Sequence, residues 1–389
     1  PEPEAQESFN KILTYCDRFH LSPKYSKSLL KAIQVDVEKN NAATIDDFTV
    51  EDCLMERILD AYCAPVTNEA DGDEAYFSYV VPSPASTNAV ASASASTTDA
   101  EPAVPLHLVP LRVVRAHNQV GLRVWEAGLF LAELCLAVPP ALFHDKTVLE
   151  LGAGIGLTGI LVARGLGPKL APRNMILSDW AGVVLENIQH NVAINFGEDA
   201  RVEKESSPSV GAVQVDWRAM ATTADVTQTI GSTPADITLI ADCTYSEEII
   251  PPLLKTVALV VEHWEEKMDS QSNDTNTAAA TSKQQQGAPP VPDPDAVPDA
   301  GDMTYDYSTD DCSLLQRIAT RHGHIALLAC TQRSDETFAF LQTALQEMQL
   351  SCRDITTWAH KQSKDVSNPL PYSGTFVDRK RIHLYCIHK

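Results

Sequence analysis

A cluster of closely spaced glycines marks the place in this chain where residue types and spacing most directly indicate ligand binding. The apolar run Val148–Leu151 leads into Gly152, Gly154 and Gly156, and Gly159 follows shortly after. Glycine lacks a Cβ atom, so the backbone of such a turn can approach a nucleotide-like ligand closely. The pattern predicts a strand, a tight turn and a helix that together bind a ligand.

Two ligand classes and one structural interpretation compete for this turn. Gly154, Gly156 and Gly159 satisfy the G-x-G-x-x-G pattern of dinucleotide sites. Glu150, together with the first three glycines and Ala153 between them, satisfies the E-x-G-x-G-x-G pattern of S-adenosylmethionine enzymes. A carboxylate in the strand suits a cationic ligand but repels a pyrophosphate. The pattern therefore favours S-adenosylmethionine over a nicotinamide or flavin cofactor, and a purely structural turn is the third interpretation.

Polar residues at the ends of the next two predicted strands suit the remainder of such a cofactor. Asp179 follows the run Met175–Ser178, a place where a carboxylate can accept both hydroxyl groups of a ribose. Asp216 and Trp217 close the following strand and are suited to the edge and the face of an adenine. The structural alternatives are a helix cap for Asp179 and core packing for Trp217.

The fourth predicted strand ends in the sequence Asp242-Cys243-Thr244-Tyr245. Substrates bind at the carboxyl ends of parallel strands, where this carboxylate and phenol would lie. Methyl transfer needs a neutral nucleophile aligned with the methyl group, whereas lysine arrives as an ammonium ion. Asp242 is therefore a candidate for contacting and deprotonating that ammonium, and Tyr245 for an aromatic wall or a hydrogen bond. A helix-capping Asp and a core Tyr are the structural alternative.

Composition excludes several other classes of function. The chain has 52 Asp and Glu against 30 Lys and Arg, a formal charge of −22, which opposes nucleic-acid and anionic-membrane partners. The nine cysteines form no C-x-x-C pair and no zinc-like cluster, so we expect neither disulfides nor a metal, and no histidine lies near Cys243 to activate it. No apolar stretch reaches the ~20 residues of a membrane span and no export signal is visible. We expect a cytoplasmic monomer.

From residue 111 onward, strand-length apolar runs alternate with helical patterns, which is typical of a parallel sheet covered by helices on both faces. The predicted strands are Thr147–Leu151, Met175–Ser178, Val213–Asp216, Ile237–Ala241, Ile325–Ala329, Arg353–Trp358 and Arg381–Ile387. The predicted helices are Arg123–Ala137, Leu157–Arg164, Ala181–Phe196, Glu247–Glu266 and Ser334–Met348. We therefore expect an α/β, Rossmann-like sheet that brings the ligand-binding turns together at the carboxyl ends of its strands.

Two segments of low complexity divide the chain. Residues 83–104 and about 268–312 carry too few large apolar side chains to offset the entropy cost of ordering, so they are predicted as an exposed loop and a disordered insertion. The strands Tyr76–Val81 and Leu106–Val114 flank the first segment and are expected to pair as a hairpin. Residues 1–82 are predicted to form a small helical N-terminal region and the first strand, and 105–389 the α/β domain.

These motifs together resemble the seven-stranded class I methyltransferases, in particular the FAM86-type lysine methyltransferases of elongation factor 2. The resemblance covers most of the chain outside the two insertions, and Tyr372–Lys389 departs from it. The stretches that carry it are Ser22-Pro23-Lys24-Tyr25, Tyr79-Val80-Val81-Pro82-Ser83, Gly121–Ala127, Leu131-Ala132-Glu133, Thr147–Gly152, Val215-Asp216-Trp217 and Thr331–Phe338.

The resemblance implies S-adenosylmethionine as cofactor and a protein acceptor, one lysine of elongation factor 2 that is carried to the trimethyl state. It also implies that Asp242 and Tyr245 face the target lysine. Another protein acceptor, such as a chaperone or a different translation factor, and a binding module without catalysis are the alternatives. The residues implied to contact the cofactor are Trp125, Gly152, Ala153, Gly154, Asp179, Trp217 and Ala241.

Overall fold

The computed structural model describes residues 74–82, 106–114, 120–166, 170–197, 208–282, 311–363 and 379–389. The helices predicted before residue 74 and the loop at 83–104 lie outside these residues, as does most of the predicted insertion. The domain boundaries drawn from the sequence therefore stay predictions.

Nine strands and eight α-helices form the described part of the chain. The strands are β1 (Glu74–Pro82), β2 (Leu106–Val114), β3 (Thr147–Leu151), β4 (Asn174–Asp179), β5 (Ser209–Gln214), β6 (Ile237–Ala241), β7 (Ile325–Thr331), β8 (Ser351–Asp354) and β9 (Ile382–His388). The helices are α1 (Glu126–Ala137), α2 (Leu157–Gly165), α3 (Gly182–Phe196), α4 (Thr223–Ile230), α5 (Ile250–Ser282), α6 (Leu314–His322), α7 (Asp335–Glu347) and α8 (Thr356–Gln362).

Seven of these strands form one sheet in the order β5-β4-β3-β6-β7-β9-β8. Neighbouring strands are parallel except at β9, which runs antiparallel to both β7 and β8. The order reverses between β3 and β6, and ligands of open α/β sheets bind at the carboxyl ends of the strands beside such a reversal. The predicted Rossmann-like sheet of the class I methyltransferases is confirmed, and its switch point brings the turns after Leu151 and Ala241 side by side.

Buried parallel strands were the best predicted elements. Thr147–Leu151 and Ile237–Ala241 have the bounds that the sequence predicts, and the remaining parallel strands overlap their predictions. One correction concerns β5, which ends at Gln214, so Asp216 lies beyond the strand.

A second correction concerns the predicted strand Arg353–Trp358, which is wrong in its second half. The strand β8 ends at Asp354, whose Oδ1 accepts a hydrogen bond from the Thr356 backbone N at 2.9 Å, and α8 follows. The helix buries Trp358 completely. The β-branched residues before Trp358 fit a strand, but Trp358 fills the core from a helix instead, because burial of a large ring is compatible with either period.

The helix α5 is longer than predicted. It runs to Ser282, whereas the sequence predicts an insertion from about residue 268. Its last turns contain Ala278–Ala280, and alanine has the highest helix propensity of all residues. Helical propensity therefore carries the backbone beyond the amphipathic part of the helix.

The predicted hairpin is present and is attached to the main domain by asparagines. β1 and β2 pair antiparallel along their whole length. On α3, Asn187 and Asn191 bond the backbone of Arg112 in β2, and Asn195 donates to the Pro110 carbonyl. These positions are four residues apart and so share one helix face. The hairpin is thereby fixed to the helix that follows the second strand of the site.

Candidate active site

A cavity of about 460 Å³ opens at the carboxyl ends of β3, β4 and β6, with the start of α1 as its other wall. Its volume lies in the range of about 300–1,000 Å³ that is common for small-molecule sites. All predicted site residues except Gly156 line it. These lining residues are Trp125, Glu150, Gly152, Ala153, Gly154, Asp179, Asp216, Trp217, Ala241, Asp242 and Tyr245.

The turn after β3 depends on glycine for two separate reasons. Gly152 and Gly154 have φ values of 69° and 57°, in the left-handed region that favours glycine. A Cβ at Gly152 would lie 2.4 Å from the Cys243 Sγ atom, and one at Gly154 would lie 3.0 Å from the Gly121 carbonyl oxygen. Because Gly121 and Cys243 are themselves cavity walls, any side chain on this turn would reshape the cavity.

Gly156 has a different role from the one predicted. It precedes α2 with a φ of 79°, outside the cavity lining. A Cβ there would come within 3.0 Å of the Ile160 side chain and 3.3 Å of Leu177. The structure therefore gives Gly156 a packing role between the helix and the sheet.

Asp179 connects the glycine turn to the residues that precede α3. Its Oδ2 atom accepts a hydrogen bond from the Gly154 backbone N at 3.1 Å, which ties it to the glycine turn. Its Oδ1 atom accepts from the backbone N of Trp180 at 2.8 Å and of Ala181 at 3.4 Å, at the start of α3. Burial raises the pKa of Asp179, and these hydrogen bonds oppose the rise. The carboxylate is pre-oriented at the cavity wall.

Glu150 is a buried carboxyl group within β3. Its Oε2 atom accepts a hydrogen bond from the Gly159 backbone N at 2.9 Å, in the first turn of α2. Burial raises the pKa of Glu150 to about 7, hydrogen bonds from Gly159 and Thr158 lower it, and the charge of Asp179 raises it. Near neutral pH the Glu150 carboxyl group is therefore only partly ionised, and any cation that binds beside it stabilises the ionised form.

Asp242 is held by hydrogen bonds on both carboxylate oxygens, and its side chain is 2% exposed. Oδ1 accepts from the Thr331 backbone N and from Arg333 Nη1, each at 2.9 Å. Oδ2 accepts from the Ala127 backbone N at 3.0 Å, from Thr331 Oγ1 at 3.0 Å and from Arg333 Nη2 at 3.3 Å. Asp242 therefore joins the ends of β6 and β7 to the start of α1, and its oxygens are occupied by these donors.

Arg333 is a residue of this site that the chemical motifs did not single out. Its guanidinium contacts Asp242, bonds Glu126 Oε2 at 2.6 Å and lies 4.9 Å from the ring centre of Trp125. Burial lowers the pKa of Arg333, but the hydrogen bond and charge of Asp242 and the charge of Glu126 raise it further, so the net direction is upward. The side chain is a permanent cation behind the cavity wall.

Two aromatic side chains are exposed at the mouth of the cavity. Tyr245 is 51% exposed, and Trp180, which the sequence did not single out, is 62% exposed directly after Asp179. The pKa of Tyr245 is raised mainly by burial and further by the neighbouring Cys243 and Asp179 side chains, while Arg218 opposes the rise. Tyr245 is thus a neutral phenol at neutral pH, able to donate a hydrogen bond or to form an aromatic wall.

The charges of the lining fit a cationic cofactor. Carboxylates outnumber guanidinium groups by five to two, and the two basic lining residues are Arg123 and Arg218. A pyrophosphate would be repelled by this wall, whereas a sulfonium with an α-ammonium group would be attracted. Across the described ranges no three His, Cys, Asp or Glu side chains come close enough together to hold a metal ion. The residues present fit S-adenosylmethionine and disfavour a dinucleotide.

Comparison with known proteins agrees with this class of site. Residues 112–268 match the model of a family described as lysine methyltransferase. The chain therefore has the sheet of the class I methyltransferases, and part of it matches a lysine methyltransferase family.

Individual relatives make the likeness more specific. The chain is 37% identical over 153 residues to human protein-lysine N-methyltransferase EEF2KMT, and 33% identical over 148 residues to the mouse protein. It is 32% identical over 150 residues to protein-lysine N-methyltransferase EFM3 of Chaetomium thermophilum. These matches cover 38%, 37% and 39% of this chain and 43%, 41% and 41% of the relatives. The predicted resemblance to FAM86-type proteins is confirmed, over less than half of the relatives' length.

Proposed function

We propose that this protein is an S-adenosylmethionine-dependent protein-lysine N-methyltransferase whose acceptor is a lysine of elongation factor 2. The observation that carries the proposal is the acidic cavity at the switch point of the sheet, which joins the glycine turn after β3 to Asp242 and Tyr245 after β6. The lysine methyltransferase family match over residues 112–268 supports the same reaction.

The chain's own residues divide the work of holding the cofactor, which supplies a methyl group on a sulfonium. Asp179 is placed to accept hydrogen bonds from the ribose, because the Gly154, Trp180 and Ala181 N–H groups already orient its carboxylate. Trp217 and Trp180 line the cavity and supply aromatic faces for the adenine. Glu150 and Asp179 supply negative charge for the cationic portion.

The acceptor lysine must lose a proton and lie in line with the methyl group. The bound cofactor would supply the methyl group for a neutral lysine amine, and the acceptor would release one proton for each methyl group gained. Asp242 is bonded to five donors, so we assign it to fixing the wall and the local field rather than to taking up that proton. Tyr245 is exposed and neutral, and we assign it the aromatic and hydrogen-bond contact with the incoming side chain.

The choice of elongation factor 2 rests on the names of the relatives together with the charge of the chain. EEF2KMT and EFM3 are among the relatives of this chain, at 37% and 32% identity. A formal charge of −22 disfavours RNA as the acceptor and permits attraction to a basic surface around a lysine. We propose a cytoplasmic monomer. No helix in the described ranges is both long enough and apolar enough to span a membrane.

Labelled methyl transfer tests the proposal. Purified protein and tritiated S-adenosylmethionine are incubated with elongation factor 2, with an Hsp70-type chaperone and with bare RNA, and labelled products are mapped by mass spectrometry. Label on a lysine of elongation factor 2 is expected. Label confined to the chaperone would overturn the acceptor, and label in RNA would overturn lysine chemistry altogether.

Tyr245→Ala and Tyr245→Phe separate the two contacts assigned to this residue. Loss of the ring is expected to lower kcat by roughly 10²-fold or more, since acceptor alignment is lost, whereas loss of the hydroxyl alone is expected to cost less. Phe340→Ala is the matched control, because Phe340 is an exposed aromatic residue outside the lining of the cavity. Equal activity of all three variants would remove Tyr245 from the site.

A further inference from the structure

The cluster around Arg333 holds two carboxylates and one guanidinium. Arg333 follows β7 and bonds Asp242 at the end of β6 and Glu126 at the start of α1. The formal charge of this trio is −1. Arg333 and Glu126 lie outside the lining of the cofactor cavity, and Arg333 also lies outside the residues that match the family model. Nothing in the proposed chemistry so far requires a cation at this place.

A second, smaller cavity of about 60 Å³ adjoins the first and shares Asp242 and Tyr245 as walls. Arg333 lines this second cavity, together with Cys330, Gln332 and Thr337. The other charged or titratable groups around it are Asp335, which accepts from Gln332 Nε2, and His383, bonded to Gln332 Oε1. The partition between the cavities is therefore made of Asp242 and Tyr245, with Arg333 directly behind Asp242.

We infer that Arg333 is a positioning residue that sets the charge of this partition, so that the acceptor lysine is not trapped there as an ammonium ion. The inference rests on the proposed function. With Arg333 bound in bidentate fashion, Asp242 keeps its place while most of its charge is compensated locally. Glu126 adds a second carboxylate, so the trio of Asp242, Glu126 and Arg333 keeps a net charge of −1, which attracts a cation.

The sign of the effect follows from the chemistry of the amine. An uncompensated carboxylate beside a lysine favours its charged form, which has no lone pair for the displacement. Removing Arg333 therefore makes the partition more negative and disfavours the neutral amine. Removing the charge of Glu126 makes it less negative and favours the neutral amine. Opposite shifts in the two variants are the signature of a charge-setting role, which a merely structural role would not produce.

The first test needs no acceptor protein. Sinefungin carries a protonated amine where S-adenosylmethionine carries its sulfonium methyl, whereas S-adenosylhomocysteine has a neutral thioether there. The ratio of their dissociation constants, measured by calorimetry, thus reports the field at the transfer position. Arg333→Met is expected to shift this ratio roughly fivefold toward sinefungin, and Glu126→Gln to shift it away. Arg333→Lys, which keeps the charge, is expected to restore most of the wild-type ratio.

The second test uses the reaction with elongation factor 2. The pH at which kcat is half-maximal is expected to rise by roughly one unit in Arg333→Met and to fall in Glu126→Gln. Arg317→Met is the control, since Arg317 pairs with Asp311 and lines neither cavity. Shifts of the same sign, or none, in the two cluster variants would overturn the inference. Sinefungin and S-adenosylhomocysteine both failing to bind the wild type would instead overturn the proposed function and the inference with it.

Discussion

The Oδ2 atom of Asp242 accepts a hydrogen bond from the backbone N of Ala127, 115 residues earlier in the chain, at 3.0 Å. Ala127 lies in the first turn of α1, and Trp125, the residue at the N-cap position, makes no capping bond with its own side chain. A carboxylate at the end of β6 thus satisfies a free N–H group of a helix that supplies the opposite wall of the cavity. Asp242, at the start of the sequence Asp242–Tyr245, therefore holds the two walls of the cavity together.

We expect Asp242→Ala to lower the free energy of unfolding by about 3 kcal/mol, because buried donors at Ala127 and Thr331 lose their acceptor. Turnover is expected to fall by roughly 10²-fold or more, since both Trp125 and Tyr245 depend on this wall. The stability and turnover of Asp242→Asn should lie between those of the wild type and those of Asp242→Ala. Asn keeps one acceptor oxygen and tolerates the positive φ of 54° at this position. Urea unfolding and single-turnover methylation measure the two quantities.

Asp216→Ala is the matched control for Asp242. Asp216 also lines the cavity, but it is exposed and accepts only a local hydrogen bond from the Arg218 backbone N at 3.0 Å. Its removal should change stability by less than about 0.5 kcal/mol. A wild-type urea midpoint for Asp242→Ala would show that Asp242 does not hold the walls.

Glu150 should make the stability of the free protein depend on pH. Its pKa is raised from 4.5 to about 7 on folding, so the protonated form is favoured in the folded state. The contribution of Glu150 to the free energy of unfolding is fully present below pH 4.5 and is lost as the pH rises through about 7. Glu150→Gln should therefore be more stable than the wild type at pH 8, by up to about 3 kcal/mol, with no such gain at pH 4.5. A pH-independent difference in urea unfolding would contradict this assignment.

The same group should couple pH to cofactor affinity. Because the ionised form of Glu150 attracts a cation, binding of S-adenosylmethionine should tighten as the pH rises from 6 to 8. Glu150→Gln should remove most of this dependence, and Asp179, whose pKa is also raised by burial, accounts for the remainder. Calorimetry at constant ionic strength measures this pH dependence of the affinity for S-adenosylmethionine. A wild-type affinity that weakens over this range would show that Glu150 does not face the cationic part.

The sequence predicted the sheet better than the site. Thr147–Leu151 and Ile237–Ala241 were readable because strands buried on both faces form uninterrupted apolar runs. The helix α4 was missed although Thr222 and Asp225 form a capping box at its start, because Val226 is its only buried residue. Trp358 shows a different failure, since its segment was predicted as a strand and forms a helix.

Within the site, the residues that the sequence patterns predicted lie next to the ends of strands. Asp179 ends β4, and the glycine turn, Asp242 and Tyr245 come shortly after β3 or β6, so their convergence follows from the sheet alone. Arg333 also follows a strand, β7, but its contacts could not be predicted, because its partners lie 91 and 207 residues away in the chain. The hydrogen bonds to both Asp242 oxygens could not be predicted, for the same reason. Asp242 is therefore a candidate proton acceptor in the sequence but joins the ends of two strands to a helix in the fold.

The glycine turn gives a prediction with an internal control. Gly154→Ala should lower stability by about 1–2 kcal/mol, because of its positive φ and the 3.0 Å approach to the Gly121 carbonyl oxygen. It should also weaken S-adenosylhomocysteine binding at least tenfold, because Gly121 is a cavity wall. Gly182→Ala, at the start of α3 with no atom within 4 Å of the added Cβ, should be neutral or slightly stabilising. Thermal unfolding and calorimetry compare the two, and equal behaviour would contradict the assigned role of the turn.

The hairpin should be coupled to the cofactor cavity through Asn191. Its Oδ1 atom accepts from the Arg112 backbone N at 2.7 Å, and its Nδ2 atom donates to the carbonyl of Ile155, a lining residue of the glycine turn, at 2.8 Å. Asn191→Ala leaves both backbone groups without this partner, so we expect a loss of about 2 kcal/mol in stability and a several-fold weaker affinity for S-adenosylhomocysteine. Gln189→Ala, exposed on the same helix, should change neither quantity. Loss of stability with unchanged affinity would show that Asn191 anchors the hairpin but leaves the turn unaffected, and wild-type values for both would show that it does neither.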